Sequence, residues 1–154
     1  MKLERDGGED MDVPGETLAG LDLSGINLHR ARLEHADLTG SRLSGAILRN
    51  AYLHGARLDR AKLDGGRLIM VSAEQASFVA ADLHGAMLNF ANLTGSDLSG
   101  ADLRGCDLTR ATLDGCNLSG ADLRDTLKIE SASFRGATHD ATTCWPAGFS
   151  PESM

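Results

Sequence analysis

The chain has 154 residues and a formal net charge of −7, a length that sets one domain. No apolar run approaches the roughly 20 residues of a membrane span, and MKLERDGGED at the N-terminus lacks the apolar centre of a signal peptide. A soluble, cytoplasmic protein without membrane contact is therefore expected.

Cys106, Cys116 and Cys144 are odd in number and at no metal-ligand spacing, which suits a reducing compartment better than a disulfide framework. Arg outnumbers Lys twelve to three, a composition associated with GC-rich bacterial genomes. Gly is abundant and aromatics are few, so an ordinary core of large side chains is excluded and a repeat architecture is suggested.

In chain order, residues 1–15 are polar with five acids and read as an N-terminal tail or cap. From Glu16 the chain divides into fives: ETLAG, LDLSG, INLHR, ARLEH, ADLTG and so on to ADLRD, ending at Asp125. These are 22 blocks without an insertion, and 21 carry Leu or Phe at the third position, the exception being Ala73. The first position is Ala, Ser, Gly or Cys in 18 of them, and the fifth is often Gly.

A period of five fits neither a helix nor a plain strand. Three extended residues followed by a corner satisfy it. Side chains alternate in, out, in along the extended part, so the small first residue and the Leu point inward and the second faces solvent. Gly at the fifth position suits a turn residue with positive φ. On this reading Leu23, Leu43, Leu63, Leu83, Leu93, Leu103 and Leu123 form an inward ladder. Asp97 and Ser99 face solvent and are expected to matter little for stability. Block VSAEQ exchanges its inward sizes, with Val71 in the small place and Ala73 in the large one, roughly keeping core volume. Cys106 and Cys116 take small inward positions and read as core.

The blocks resemble the pentapeptide-repeat family, whose consensus is A-(D/N)-L-x-x, from Glu16 to Asp125. The resemblance implies an all-β, right-handed quadrilateral β-helix with four blocks per coil and five to six coils. At about 4.8 Å per coil the rod would measure roughly 25–30 Å. After Asp125 the frame slips: TLKIE has Leu at its second position, and Ala132-Ser133-Phe134 restarts the pattern one residue late. The repeat region is placed at 16–135. Residues 136–154 resemble the closing segment of many family members, with Trp145, Pro146 and Phe149 expected to cap the last coil.

With four blocks per coil, residues twenty apart stack. The third face then gathers INLHR, AILRN, GRLIM, AMLNF and CDLTR, and Ile47, Ile69, Met70, Met87 and Phe90 take its outward positions, with Tyr52 around the corner. Such a patch on a polar surface marks an interaction site, and Arg30, Arg49, Arg67 and Arg110 flank it. A protein partner, or self-association through this face, is expected. No catalytic or phosphate-binding motif is present, so no enzyme, cofactor or metal is expected. Glu34, His54 and Glu74 share one corner column beside His35 and read as a surface charge ladder rather than a metal site.

The family resemblance also implies an alternative. Some members bind DNA gyrase and topoisomerase IV, type II topoisomerases, by imitating DNA. Asp82, Asp97, Asp102, Asp107 and Asp122 are the positions that would imitate phosphates. Against this, residues 16–135 hold 13 basic and 15 acidic side chains, whereas a phosphate mimic needs a large field of one sign. Direct nucleic-acid binding is not expected without a basic stripe.

Overall fold

The computed structural model describes residues 2–3, 11–12 and 17–151. Most of the expected N-terminal tail or cap at residues 1–15 lies outside the described residues. Within it β1 (Lys2–Leu3) pairs antiparallel with β2 (Met11–Asp12), and the Leu3 side chain is buried in the core. From Thr17 to Cys144 the chain is a four-sided parallel β-solenoid.

Its main-chain accounting explains the repeat. Lys62 represents the second position: its N–H donates to the Ser41 carbonyl of the coil before at 2.9 Å, and its carbonyl accepts from Leu43 N–H at 2.7 Å. Only this central residue of each three-residue side pairs in both directions. Pairing therefore appears as single parallel bridges instead of continuous strands, from Asp22↔Arg42 to Asp122↔Cys144. The corner closes with Ala46 N–H donating to Leu43 C=O at 2.9 Å, and Gly45 N–H donates onward to Asp64 C=O at 2.9 Å. The fifth residue of every block from Gly20 to Asp125 has positive φ, the signature of a type II turn.

One donor per block remains, the N–H of the fourth residue. Where the second position is Asp or Asn, its side chain supplies the acceptor. Ser24 N–H donates to Asp22 Oδ1 at 3.2 Å, His29 to Asn27 at 3.0 Å, Thr94 to Asn92 at 3.2 Å and Ser99 to Asp97 at 2.9 Å. These are Asx turns. The expectation that Asp97 merely faces solvent is thereby corrected: its carboxylate lies on the outside but holds the corner behind it.

Leu and Ala fill the interior. Leu43, Leu63, Leu103 and Leu123 are fully buried, Leu83 and Leu93 nearly so, and Leu23 is 7% exposed in the first coil. Val71 and Ala73 are both buried, so the size exchange is accommodated inside. Cys106 and Cys116 are buried, and their thiols donate to Leu83 and Leu93 carbonyls at 2.9 and 3.0 Å. Burial pushes both thiols up to about 12, which keeps them protonated and unreactive.

The stacking interval is twenty residues through Asp107↔Leu127, then 21 at Thr112↔Ser133 and Asn117↔Thr138, and 22 at Asp122↔Cys144. The first extra residue is absorbed just after Leu127. Lys128 turns with φ 58° into a 3-10 turn, Ile129–Ser131, and Ile129 is buried where a ladder Leu would otherwise stand. Parallel pairing continues to Cys144, beyond Arg135. Phe134 ends the ladder, with Trp145 at 5.8 Å and Phe149 at 6.0 Å between ring centroids.

Two measurements follow from this framework. Leu103→Ala is expected to cost on the order of 2–5 kcal/mol in chemical denaturation, and Asp97→Ala about 1 kcal/mol through its lost corner bond. Equal midpoints for the parent and Leu103→Ala would contradict the inward assignment. The second is acid sensitivity. Hydrogen bonds from the Ser24 hydroxyl and N–H, with Arg42, hold Asp22 below the ordinary carboxylate range, and those from Thr142 do the same for Asp140. A pKa lowered in the folded state contributes stability above the unfolded value near 3.9, and that contribution fades as pH falls through the folded one. The denaturation midpoint is expected to be flat from about pH 5 to 7 and to decline below about pH 4.

Candidate interaction face

The third face is built from the column Asn27, Ile47, Arg67, Met87, Asp107 and Leu127 at its second positions. Its corner column is Arg30, Asn50, Met70, Phe90 and Arg110, with φ between 53° and 58°. None of the five is Gly, although the second-face corner uses Gly from Gly25 to Gly105 at the same turn. A side chain in the left-handed region costs about 1–2 kcal/mol per residue, less for Asn. This corner therefore presents side chains outward where backbone energetics favours none.

What it presents is partly apolar. Met70 is 50% exposed, Phe90 49%, Tyr52 42% and Met87 39%. Ile47 and Ile69 are half-buried, so they support the patch from beneath more than they display it. Met70 and Phe90 are consecutive in the corner column, and the Arg110 guanidinium lies over the Phe90 ring at 5.9 Å. Leu127, 56% exposed, extends the face beyond Asp107. Sequence reasoning left it out because the frame slips in its block. The signal was present, since Thr126 and Leu127 still occupy first and second positions and the slip begins after them.

The five carboxylates of the alternative reading are all engaged at corners. Asp82, Asp102, Asp107 and Asp122 accept from the N–H of His84, Arg104, Thr109 and Arg124 at 3.1, 3.0, 3.0 and 3.1 Å, as Asp97 does from Ser99. Asp102 and Asp122 are also ion-paired, with Arg104 and Arg124 each at 2.6 Å. Hydrogen bonds from those Arg side chains hold both carboxyls below the ordinary range. Burial pushes Asp107 upward, but the Thr109 hydroxyl and N–H outweigh it and the net displacement is downward. On the second face, Arg42 and Lys62 interrupt the same stack.

The His and Glu column is dispersed among other partners. Glu34 faces Arg32 at 3.7 Å, Glu74 accepts from Asn92 Nδ2 at 2.7 Å, and His35 meets His54 edge-on at 5.5 Å. Among the described residues no three His, Cys, Asp or Glu side chains converge as a metal site, and no helix is long and apolar enough to cross a membrane.

The pattern of pentapeptide repeats matches this chain in eight copies over residues 26–65, 67–100, 86–125 and 101–138. No curated protein matches it. Among solved structures, QnrB1, a plasmid-mediated fluoroquinolone resistance protein (R167E, trypsin-treated), superposes with a TM-score of 0.61 at 23% identity. The match covers 78% of this chain and 57% of QnrB1, a little over half its length, and at that identity it speaks for the fold alone. The pentapeptide repeat protein alr5209 from Nostoc PCC 7120 superposes with a TM-score of 0.54 at 35% identity, covering 63% of this chain and 79% of that one. With the repeat matched over most of its length, and with corners, ladder and stacking that account for every position of that repeat, this chain belongs to the pentapeptide-repeat family.

Proposed function

We propose that this protein is a non-catalytic interaction module that docks a protein partner through its third face. Pentapeptide-repeat proteins are generally non-enzymatic structural modules, and among the described residues no three His, Cys, Asp or Glu side chains converge on a metal site. The observation that carries the reading is the third-face corner. Met70 and Phe90 are held at φ 57° and 58° and are about half exposed. Backbone strain retained at an exposed position points to a use for the side chain, and exposed apolar neighbours on a polar rod mark a docking surface. Burying most of the patch contributes several kcal/mol at about 25 cal/mol per Å², set against the entropic cost of association.

The second reading, inhibition or protection of gyrase or topoisomerase IV by DNA mimicry, has weaker support. Likeness to QnrB1 extends to the fold, but the carboxylates it needs are tied to corner N–H groups, and two of them to Arg. In a gyrase supercoiling assay no inhibition is expected at low micromolar protein. Potent inhibition that disappears on replacing Asp82, Asp97 and Asp102 with Asn would install the mimic instead.

The docking face is tested by the double substitution Met70→Glu and Phe90→Glu. Neither side chain enters the core, so circular dichroism and the thermal midpoint are expected to stay near the parent, while partner binding or self-association is lost. A variant that unfolds would make these residues structural, and one that folds and associates normally would remove the face from the reading.

A further inference from the structure

Sorting charges by face gives a result the total conceals. On the third face Arg30, Arg49, Arg67, Arg110 and Lys128 stand against Asp107 and Glu130, a formal net of +3. The first, second and fourth faces are each net acidic over residues 17–141. The ion pairs divide the same way. Arg42, Arg104 and Arg124 pair on the second face, Arg57 on the first and Arg32 on the fourth. Among the described residues neither Arg49 nor Arg67 pairs with a carboxylate, and both are exposed.

We infer that the occupant of the third face is a short acidic protein segment, its carboxylates on Arg49 and Arg67 and an apolar side chain on the Met70–Phe90 ridge. This rests on the docking role proposed above and adds the partner's chemistry. Arg67 lies between Ile47 and Met87 in one stacked column, so one cationic group is flanked by apolar ones at about 4.8 Å steps along the axis. A segment that carries both acidic and apolar side chains toward the rod can engage this mixed surface, and guanidinium groups bind carboxylates in a two-point geometry. A second copy of this chain would set Arg49 and Arg67 against their own images in a two-fold contact. A nucleic acid would gain little from exposed Met70 and Met87 and, extending past the face, would meet the three acidic ones.

The probes are short fluorescein-labelled peptides combining Glu with Leu or Phe, their Gln counterparts, and an oligo-dT strand, titrated by anisotropy into the full chain. The Glu peptide is expected to bind at least about tenfold more tightly than the Gln peptide, and to weaken as salt is raised. Its binding should be lost in Arg49→Glu with Arg67→Glu and kept in Arg57→Glu on the opposite face, with all variants folded by circular dichroism. Equal affinity for Glu and Gln peptides, both lost in Met70→Glu with Phe90→Glu, would overturn the acidic assignment and leave the docking face standing. Absence of Glu-peptide binding, tighter binding of oligo-dT at the same Arg pair, or a dimer by sedimentation that the Met70→Glu, Phe90→Glu change dissociates would each overturn it as well.

Discussion

From Gly20 to Asp125 every fifth residue must enter the left-handed region of backbone space, and the rest of the rod follows from that requirement. The turn redirects the chain after three extended residues, which is what closes a four-sided coil. Closure brings residues twenty apart into register, as in Arg67↔Met87, and the inward Leu side chains then stack. The same turn leaves the fourth N–H without a main-chain acceptor, and in about half the blocks an Asp or Asn two residues earlier supplies one, as Asp102 does for Arg104 at 3.0 Å. The repeat consensus is thus a list of solutions to one corner: small inside, carboxylate or amide to hold the N–H, Leu inside, anything polar, then Gly.

Departures from that list carry information because the corner penalises them. Gly is the least strained residue at the fifth position, yet the third-face corner has none among Arg30, Asn50, Met70, Phe90 and Arg110. Elsewhere such departures are fewer: His35 and Gln75 on the fourth face are separated by Gly55, and on the first face only Arg60 and Ala80 depart. Here they form an unbroken column that also bears exposed Met70 and Phe90, with exposed Arg49 and Arg67 nearby. Total charge gave no hint of this, because a chain at −7 can present one cationic side when four faces are separated by a fixed period.

Much of the architecture was legible in the sequence because one unbroken frame governs 22 blocks. Leu83 and Leu103 could be placed inside from their position alone, and both are buried. The role of Asp97 was not legible from in-out alternation, which reports direction and not hydrogen bonding. Its signal was the recurrence of Asp or Asn two residues before Ser or Thr, as in Asp97–Ser99 and Asp107–Thr109. The slip after Asp125 could be seen, but the site of the extra residue could not. Lys128 turns left-handed and hands its inward place to Ile129, a choice made by packing against the coil below. Of the expected patch, Ile47 and Ile69 are half covered and Leu127 was absent, since exposure on a rod depends on how long neighbours lie over one another.

The central claim is that Met70 and Phe90 are kept at their corner for contact and not for folding. Replacing both with Gly tests it most directly, since relief of about 1–2 kcal/mol of left-handed strain per residue opposes the roughly 0.5–1 kcal/mol that added chain freedom costs. The expected result is a denaturation midpoint at or slightly above the parent's, together with loss of binding to the peptide combining Glu with Leu or Phe. A midpoint lowered as far as a core Leu truncation lowers it, with peptide binding retained, would contradict it.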